Sequence, residues 1–174
     1  MTGSPRKPSR RSGAARIAAA LACALGLTAA VAADPKLLPP EQAFRFSARA
    51  LDERTLEARF AVADGYYLYR DKFVFALEPQ PPGFAAPQLP PGKLKDDQFF
   101  GKVETYRGEV VVNLPLPAAA AGQSIVVAAD SQGCADAGVC YPANRQKITL
   151  VIPAAGKGPG AVVEAYPRKK SWFN

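Results

Sequence analysis

Short runs of alternating apolar and polar residues, cut apart by proline and glycine, constrain this chain more than any other feature. "FRFSARAL" (44–51) and "TLEARFAV" (55–62) alternate, and in the second Leu56, Ala58, Phe60 and Val62 share a face, the pattern of a half-buried strand. "YYLYRDKFVFAL" (66–77) is dense in aromatic and β-branched residues between Gly65 and Pro79. "EVVVNLPL" (109–116), "SIVVAAD" (124–130) and "KITLVI" (147–152) follow, each bounded by Gly, Pro or Asn. No segment beyond the first thirty-odd residues sustains a helical apolar period with caps. The 17 prolines, clustered at "PPEQ", "PQPPG" and "PQLPPGK", would interrupt any long helix. The expected fold is all-β, an antiparallel β-sandwich of immunoglobulin-like type. "PAAAAGQ" (117–123) is Ala-rich but hemmed in by Pro and Gly, and is expected to be a loop.

The N-terminus reads differently. Arg6, Lys7, Arg10, Arg11 and Arg16 form a basic region with no acidic residue, followed by an apolar run from Ile17 to about Ala30 and the small residues of "AVAAD". The run is about 14 residues long, where a membrane span needs roughly 20. Residues 1–33 are therefore expected to be a secretory signal cleaved near Ala33, which places the mature chain in the periplasm. Cys23, inside the run, carries the competing reading of a lipid-attachment site. Residues 34–155 are expected to form one domain, and 156–174 a loosely attached extension on which Trp172 and Phe173 could dock. Loss of the five N-terminal cations takes Lys+Arg from 22 to 17 against 15 Asp+Glu, so the formal charge of +7 falls to about +2. No basic stripe with interleaved aromatics remains, which argues against nucleic acid as a partner.

The chemistry that is missing narrows the field. With no histidine there is no Ser-His or Cys-His pair and no imidazole metal site. Two thiolates alone make a poor zinc site, which wants four N/S ligands, and no phosphate-binding glycine loop is present, so no metal and no cofactor are expected. Asp96 and Asp97 are adjacent on what reads as a solvated loop; on an extended segment they would point to opposite faces and could not act as an acid/base pair.

The thiols remain. Cys134 and Cys140 fall between "SIVVAAD" and "RQKITLVI". If those runs are antiparallel neighbours, the two cysteines face each other at the mouth of a loop in which Gly138 supplies a positive φ, about 4.5 Å apart at Cα, within disulfide range. An exported chain lives where such bonds persist. Closing a loop of about seven residues stabilises by roughly 2.4 kcal/mol, against about 4.7 for a 100-residue loop, so the bond would be a modest staple. As a redox pair it lacks the CxxC spacing, the helix N-terminus and the histidine that activate a thiol. Residue chemistry alone leaves two readings open: a binding or assembly module with a structural disulfide, or an exchange site that depends on partner docking.

Three blocks, "DGYYLYRDKF" (64–73), "KDDQFFGKVETYRGEVVVNLPL" (95–116) and "GCADAGVCYP" (133–142), resemble in sequence and order the N-terminal periplasmic domain family of the thiol:disulfide interchange protein DsbD. The resemblance covers roughly residues 35–153. It implies an immunoglobulin-like domain that passes reducing equivalents through Cys134 and Cys140 to oxidised periplasmic proteins, including disulfide isomerase and cytochrome c maturation factors. Cys140 is then the thiol that attacks or is attacked, and Cys134 resolves the mixed disulfide. Asp97, Gln98, Phe99, Phe100 and Gly101 match a cap loop whose first aromatic, Phe99, shields the sulfurs, with Phe100 packing behind it. Tyr67, Tyr69, Asp136 and Tyr141 are assigned near the site. The implied partners are thioredoxin-fold periplasmic proteins and a membrane-embedded electron donor, with the chain itself a monomer. Two departures stand out. Gln98 occupies a position where the family often has a carboxylate. The family's proteins also continue into a membrane domain and a thioredoxin domain, whereas this chain stops at Asn174, so the donor is expected to be a separate polypeptide.

Overall fold

Alternation becomes pairing in the strands that carry it. A computed structural model of the chain describes residues 36–116 and 120–167, together with Gly3. The signal and its cleavage at Ala33, Cys23, residues 117–119 of the Ala-rich stretch, Trp172 and Phe173 lie outside the described residues. In chain order, one helical turn, α1 (Pro40–Ala43), precedes β1 (Phe44–Ala50), β2 (Thr55–Val62) and β3 (Tyr66–Tyr69). A 3₁₀ turn (Arg70–Lys72) leads to β4 (Val74–Glu78), and then come β5 (Lys93–Asp97), β6 (Gly101–Tyr106) and β7 (Glu109–Pro115). The chain continues through β8 (Ser124–Ser131), β9 (Gly133–Ala135), β10 (Asn144–Val151) and β11 (Val163–Glu164). All strand pairs are antiparallel, in sheets of order β11-β1-β2-β7, β10-β8-β4 and β5-β6-β3-β9. The chain thus forms the expected all-β, immunoglobulin-like sandwich.

The first two sheets enclose the core. Phe46 lies opposite Phe60 and Phe60 opposite Val110 in the first; Leu77 and Ile148 both lie opposite Val127 in the second. Phe46 stacks on Phe60 with centroids 4.9 Å apart, and Phe73 meets Phe60 edge-on at 5.0 Å. Burying a ring such as that of Phe60 contributes about 2–3 kcal/mol, and these cross-strand pairs lock the register, since a one-residue slip would turn every apolar side chain outward.

The aromatic run 66–77 is not one strand. Arg70 donates to the carbonyls of Leu89 and Pro90 and pairs with Glu104 at 2.9 Å, drawing the polar triplet Arg70–Lys72 out of the ladder. The chain changes sheet at that point, so β3 and β4 serve different layers. β5, β6 and β9 have no apolar alternation to announce them. Asp96 and Asp97 form the end of β5 instead of a solvated loop: Asp96 is exposed and Asp97 buried, as alternation on a strand requires. Beyond Gly156, residues 160–165 run along β1. There β11 pairs with β1, the Gly160 amide bonds the Ala50 carbonyl, and the Ala165 amide bonds that of Phe46. Among the described residues no helix is long and apolar enough to cross a membrane.

Candidate functional site

β3 is buried on both faces, and its alternate residues divide between two clusters. Tyr66 and Leu68 join the main core, while Tyr67 and Tyr69 turn to Cys134, with Val103 and Cys140 packed at the edge. β9 pairs with β3 so that Cys134 lies opposite Tyr67 and Gly133 opposite Leu68. Gly133 permits this approach, because a Cβ there would collide with the Tyr67 carbonyl.

Just beyond the β8–β10 ladder, Cys134 and Cys140 form an antiparallel bridge with Cα atoms 3.9 Å apart and their sulfurs bonded at 2.03 Å. The loop between them closes through the Ala135 amide on the Val139 carbonyl (2.8 Å) and the Gly138 amide on the Ala135 carbonyl (3.0 Å), with Gly138 at φ 85°. The two sulfurs are not equivalent. Cys134 is 0% exposed, whereas Cys140 is only partly buried.

A polar network reaches the sulfurs from one side. Asp97 Oδ2 accepts hydrogen bonds from the Tyr67 hydroxyl at 2.8 Å and the Tyr69 hydroxyl at 2.9 Å. Its Oδ1 accepts from the Phe99 and Phe100 amides at 2.9 and 3.2 Å. Burial pushes this carboxyl up, but the Phe99 amide, the two phenols and the Phe100 amide more than offset it, and Asp97 is held below the ordinary aspartate value. Burial, reinforced by the neighbouring phenol and Asp97, pushes Tyr69 up strongly; Tyr67 is raised by burial first and by Asp97. Both phenols therefore keep their protons. The Tyr69 oxygen also lies 3.1 Å from Cys134 Sγ and 3.9 Å from Cys140 Sγ. The carboxylate is the stronger acceptor for its proton, which leaves the phenol oxygen free to accept from a Cys134 S–H once the bond is reduced.

Gln98, Phe99 and Phe100 form the tip of the β5–β6 hairpin, closed by the Asp97–Gly101 pair. Phe99 is 57% and Phe100 49% exposed, so neither belongs to the core. Phe100 packs edge-on against Tyr69 with centroids 5.2 Å apart, and Lys72 Nζ stands 5.0 Å from the Phe100 ring centre. Lys95 Nζ and the Arg107 guanidinium lie 4.8 and 5.2 Å from the centre of the Tyr67 ring. Asp136, in the cysteine loop, pairs with Arg107, which holds it below the ordinary aspartate value. Tyr67, Lys95, Gln98, Asp136 and Gly138 border a shallow cleft of about 280 Å³ beside the loop. Tyr141, next to Cys140, is directed the other way: its ring meets Phe44 edge-on and its hydroxyl donates to the Leu38 carbonyl at 2.6 Å.

The model of the family described as "Thiol:disulfide interchange protein DsbD, N-terminal" matches residues 34–152. The chain belongs to the DsbD N-terminal family. It is 48% identical over 138 residues to the thiol:disulfide interchange protein DsbD of Ralstonia nicotianae, covering 79% of this chain and 22% of that protein. It is 45% identical over 130 residues to DsbD 2 of Pseudomonas aeruginosa, covering 73% of this chain and 21% of the relative. The chain thus spans about a fifth of the length of these DsbD relatives. Among solved structures it is similar to the DsbD N-terminal domain of Neisseria meningitidis in the reduced form, with TM-score 0.62 and 34% identity over 74% of this chain and 94% of the other. It is also similar to a chain from the complex between the DsbD N-terminal and PilB N-terminal domains of the same organism, with TM-score 0.55 and 36% identity over 66% of this chain and 87% of the other.

The structure brings Cys134, Cys140, Tyr67, Tyr69 and Asp97 together in one hydrogen-bonded group, with Phe100 against Tyr69. Asp136 and Tyr141 flank it, joined to Arg107 and to Leu38. Sequence reasoning did not single out Lys72, Lys95 or Arg107. Lys95 and Arg107 stand inside the quoted "KDDQFFGKVETYRGE" neighbourhood, but their contacts with Tyr67 are made across strands and leave no spacing signal.

Proposed function

We propose that this chain is a periplasmic thiol:disulfide exchange module that carries reducing equivalents from a membrane-embedded or thioredoxin-fold donor to oxidised periplasmic proteins. It acts as a protein-disulfide reductase in concert with those partners. The observation that carries the reading is the asymmetry of the pair: Cys134 fully buried against Tyr69, Cys140 open enough to be reached. A donor thiolate attacks Cys140 Sγ, a new S–S bond forms there, the Cys134–Cys140 bond breaks, and its electron pair goes to Cys134 Sγ, which takes up a proton. The donor's second thiol then attacks its own sulfur in the mixed disulfide and releases Cys140 as a thiol. Two electrons and two protons have entered. In the forward direction Cys140 thiolate attacks an oxidised partner and Cys134 resolves the intermediate.

Phe99 serves in this reading as a shield for the Cys134 and Cys140 sulfurs, displaced when a partner docks. The domain acts as a monomer, consistent with a site that must be open to more than one protein in turn. The complex between the DsbD N-terminal and PilB N-terminal domains of Neisseria meningitidis supports the reading that a domain of this family docks a protein partner.

Trapping tests the reading. With Cys134→Ser, Cys140 should accumulate a mixed disulfide with a thioredoxin-fold partner, visible as a dithiothreitol-sensitive band of the summed mass. No trapped species with any such partner would return the pair to a structural role.

A further inference from the structure

Arg107 lies one residue past β6 and reaches the cysteine loop with a two-pronged contact. Its Nη1 donates to Asp136 Oδ2 at 2.9 Å and its Nη2 to Asp136 Oδ1 at 2.6 Å. The same Nη1 donates to the Tyr66 carbonyl at 3.1 Å, and the guanidinium lies on the Tyr67 ring. Asp136 is the only residue between the two cysteines with a polar side chain. Its amide also donates to the Gly65 carbonyl at 2.7 Å. One loop residue is thus tied to β3 and to the end of β6 by side chain and backbone, without help from the sulfurs.

We propose that Arg107 is a positioning residue for exchange: through its fork on Asp136 it keeps the Cys134–Cys140 loop closed when the S–S bond is absent, and so sets the effective concentration of one thiol at the other. In the oxidised chain the covalent bond holds the sulfurs together. After reduction only non-covalent ties do so: the Ala135–Val139 and Ala135–Gly138 backbone bonds within the loop, and the Arg107–Asp136 fork that anchors the loop to the sheet. A planar guanidinium doubly bonded to a carboxylate and stacked on an aromatic ring fixes a geometry that a lysine ammonium does not. The pair is about half-exposed, with side-chain exposures of 43% and 49%, so solvent screening keeps its contribution to global stability small. Its leverage is on the loop, where holding two reacting groups in register is an entropic gain.

The exchange reading gives this inference its purpose, but the measurement does not depend on it. The full chain is equilibrated with glutathione, where protein disulfide plus two glutathione thiols give protein dithiol plus one glutathione disulfide, two electrons and two protons passing to the protein. Arg107→Ala should make the protein disulfide about fivefold easier to reduce, equivalent to about 21 mV at 29.6 mV per tenfold. Arg107→Lys should behave like the alanine variant. Asp136→Asn should do the same, and the double variant should be no worse than either alone. A purely structural contact would lower the unfolding midpoints of both redox forms alike and leave the glutathione equilibrium where it was. An unchanged equilibrium in either single variant, or full additivity in the double, overturns the proposal. Failure to trap any partner would sink the exchange reading and leave the clamp measurement standing. A trapped partner with an unmoved equilibrium would sink the clamp alone.

Discussion

Tyr66 and Leu68 of β3 turn into the apolar sandwich, whereas Tyr67 and Tyr69, the alternate residues of the same strand, turn to the disulfide. Both sides are buried, yet they are held by different forces. The sandwich side relies on rings and branched aliphatics that need only be apolar and of the right volume. The sulfur side relies on a carboxylate, two phenols and two backbone amides whose bonds are satisfied one for one. Errors on the first side cost packing; errors on the second leave a buried donor or acceptor without a partner. The contrast separates what keeps the domain folded from what prepares its sulfurs.

The sharpest way to break the comparison is to damage the apolar side alone. Phe60→Ala should cost about 3–5 kcal/mol of stability, measured by urea unfolding of the oxidised chain. The glutathione equilibrium of the folded fraction should stay within about twofold of the unaltered chain; a larger change would mean the two sides are not separable.

Asp97→Asn strikes the other side. The single amide oxygen can accept from the two phenols or from the two backbone amides but not from all four, so a loss of about 1–3 kcal/mol is expected. The pH dependence carries the sign. Because the Asp97 value is depressed in the fold, its contribution is fully present above the ordinary aspartate value of about 3.9. It is lost as pH falls through the folded value. The unaltered chain should therefore lose more stability than Asp97→Asn as pH is lowered below about 4. Parallel urea midpoints across that window would show that Asp97 is not ionised in its network.

Phe99→Ala should have the smallest effect on stability, within about 0.5 kcal/mol for so exposed a side chain, while oxidation of the reduced dithiol by a small oxidant speeds up. An unchanged oxidation rate would show that Phe99 shields nothing.

The same contrast explains what could be read from residues alone. β1, β2, β7 and β8 were legible because period-two apolar residues need no knowledge of their partners, and β10 only began earlier than expected, where Gln146 is buried by donating to the Phe44 carbonyl at 3.0 Å. β5, "KLKDD", reads as solvated, since its burial at Asp97 depends on tyrosines 28 and 30 residues away. The break in the 66–77 run rests on Arg70 finding Pro90 and Glu104. At the site, the cysteine loop was legible from local spacing, Gly138 included. Tyr67, Tyr69 and Asp97 came only through resemblance to a family, and Arg107, whose carboxylate partner is 29 residues on, gave no local sign of its task.

One bond closes a far longer circuit. The Tyr141 hydroxyl holds the carbonyl of Leu38, 103 residues earlier, and the Tyr66 hydroxyl accepts from the amide of the same residue at 2.8 Å. The two cysteines, six residues apart, can meet in an unfolded chain on the timescale of short-loop closure, about 10–100 ns. The surroundings that distinguish one sulfur from the other wait on contacts of high sequence separation, which form late. The expected order of assembly is bond first, environment second: a newly made chain should accept its disulfide before it can discriminate between partners, and pulse alkylation during refolding would reveal the reverse order if it held.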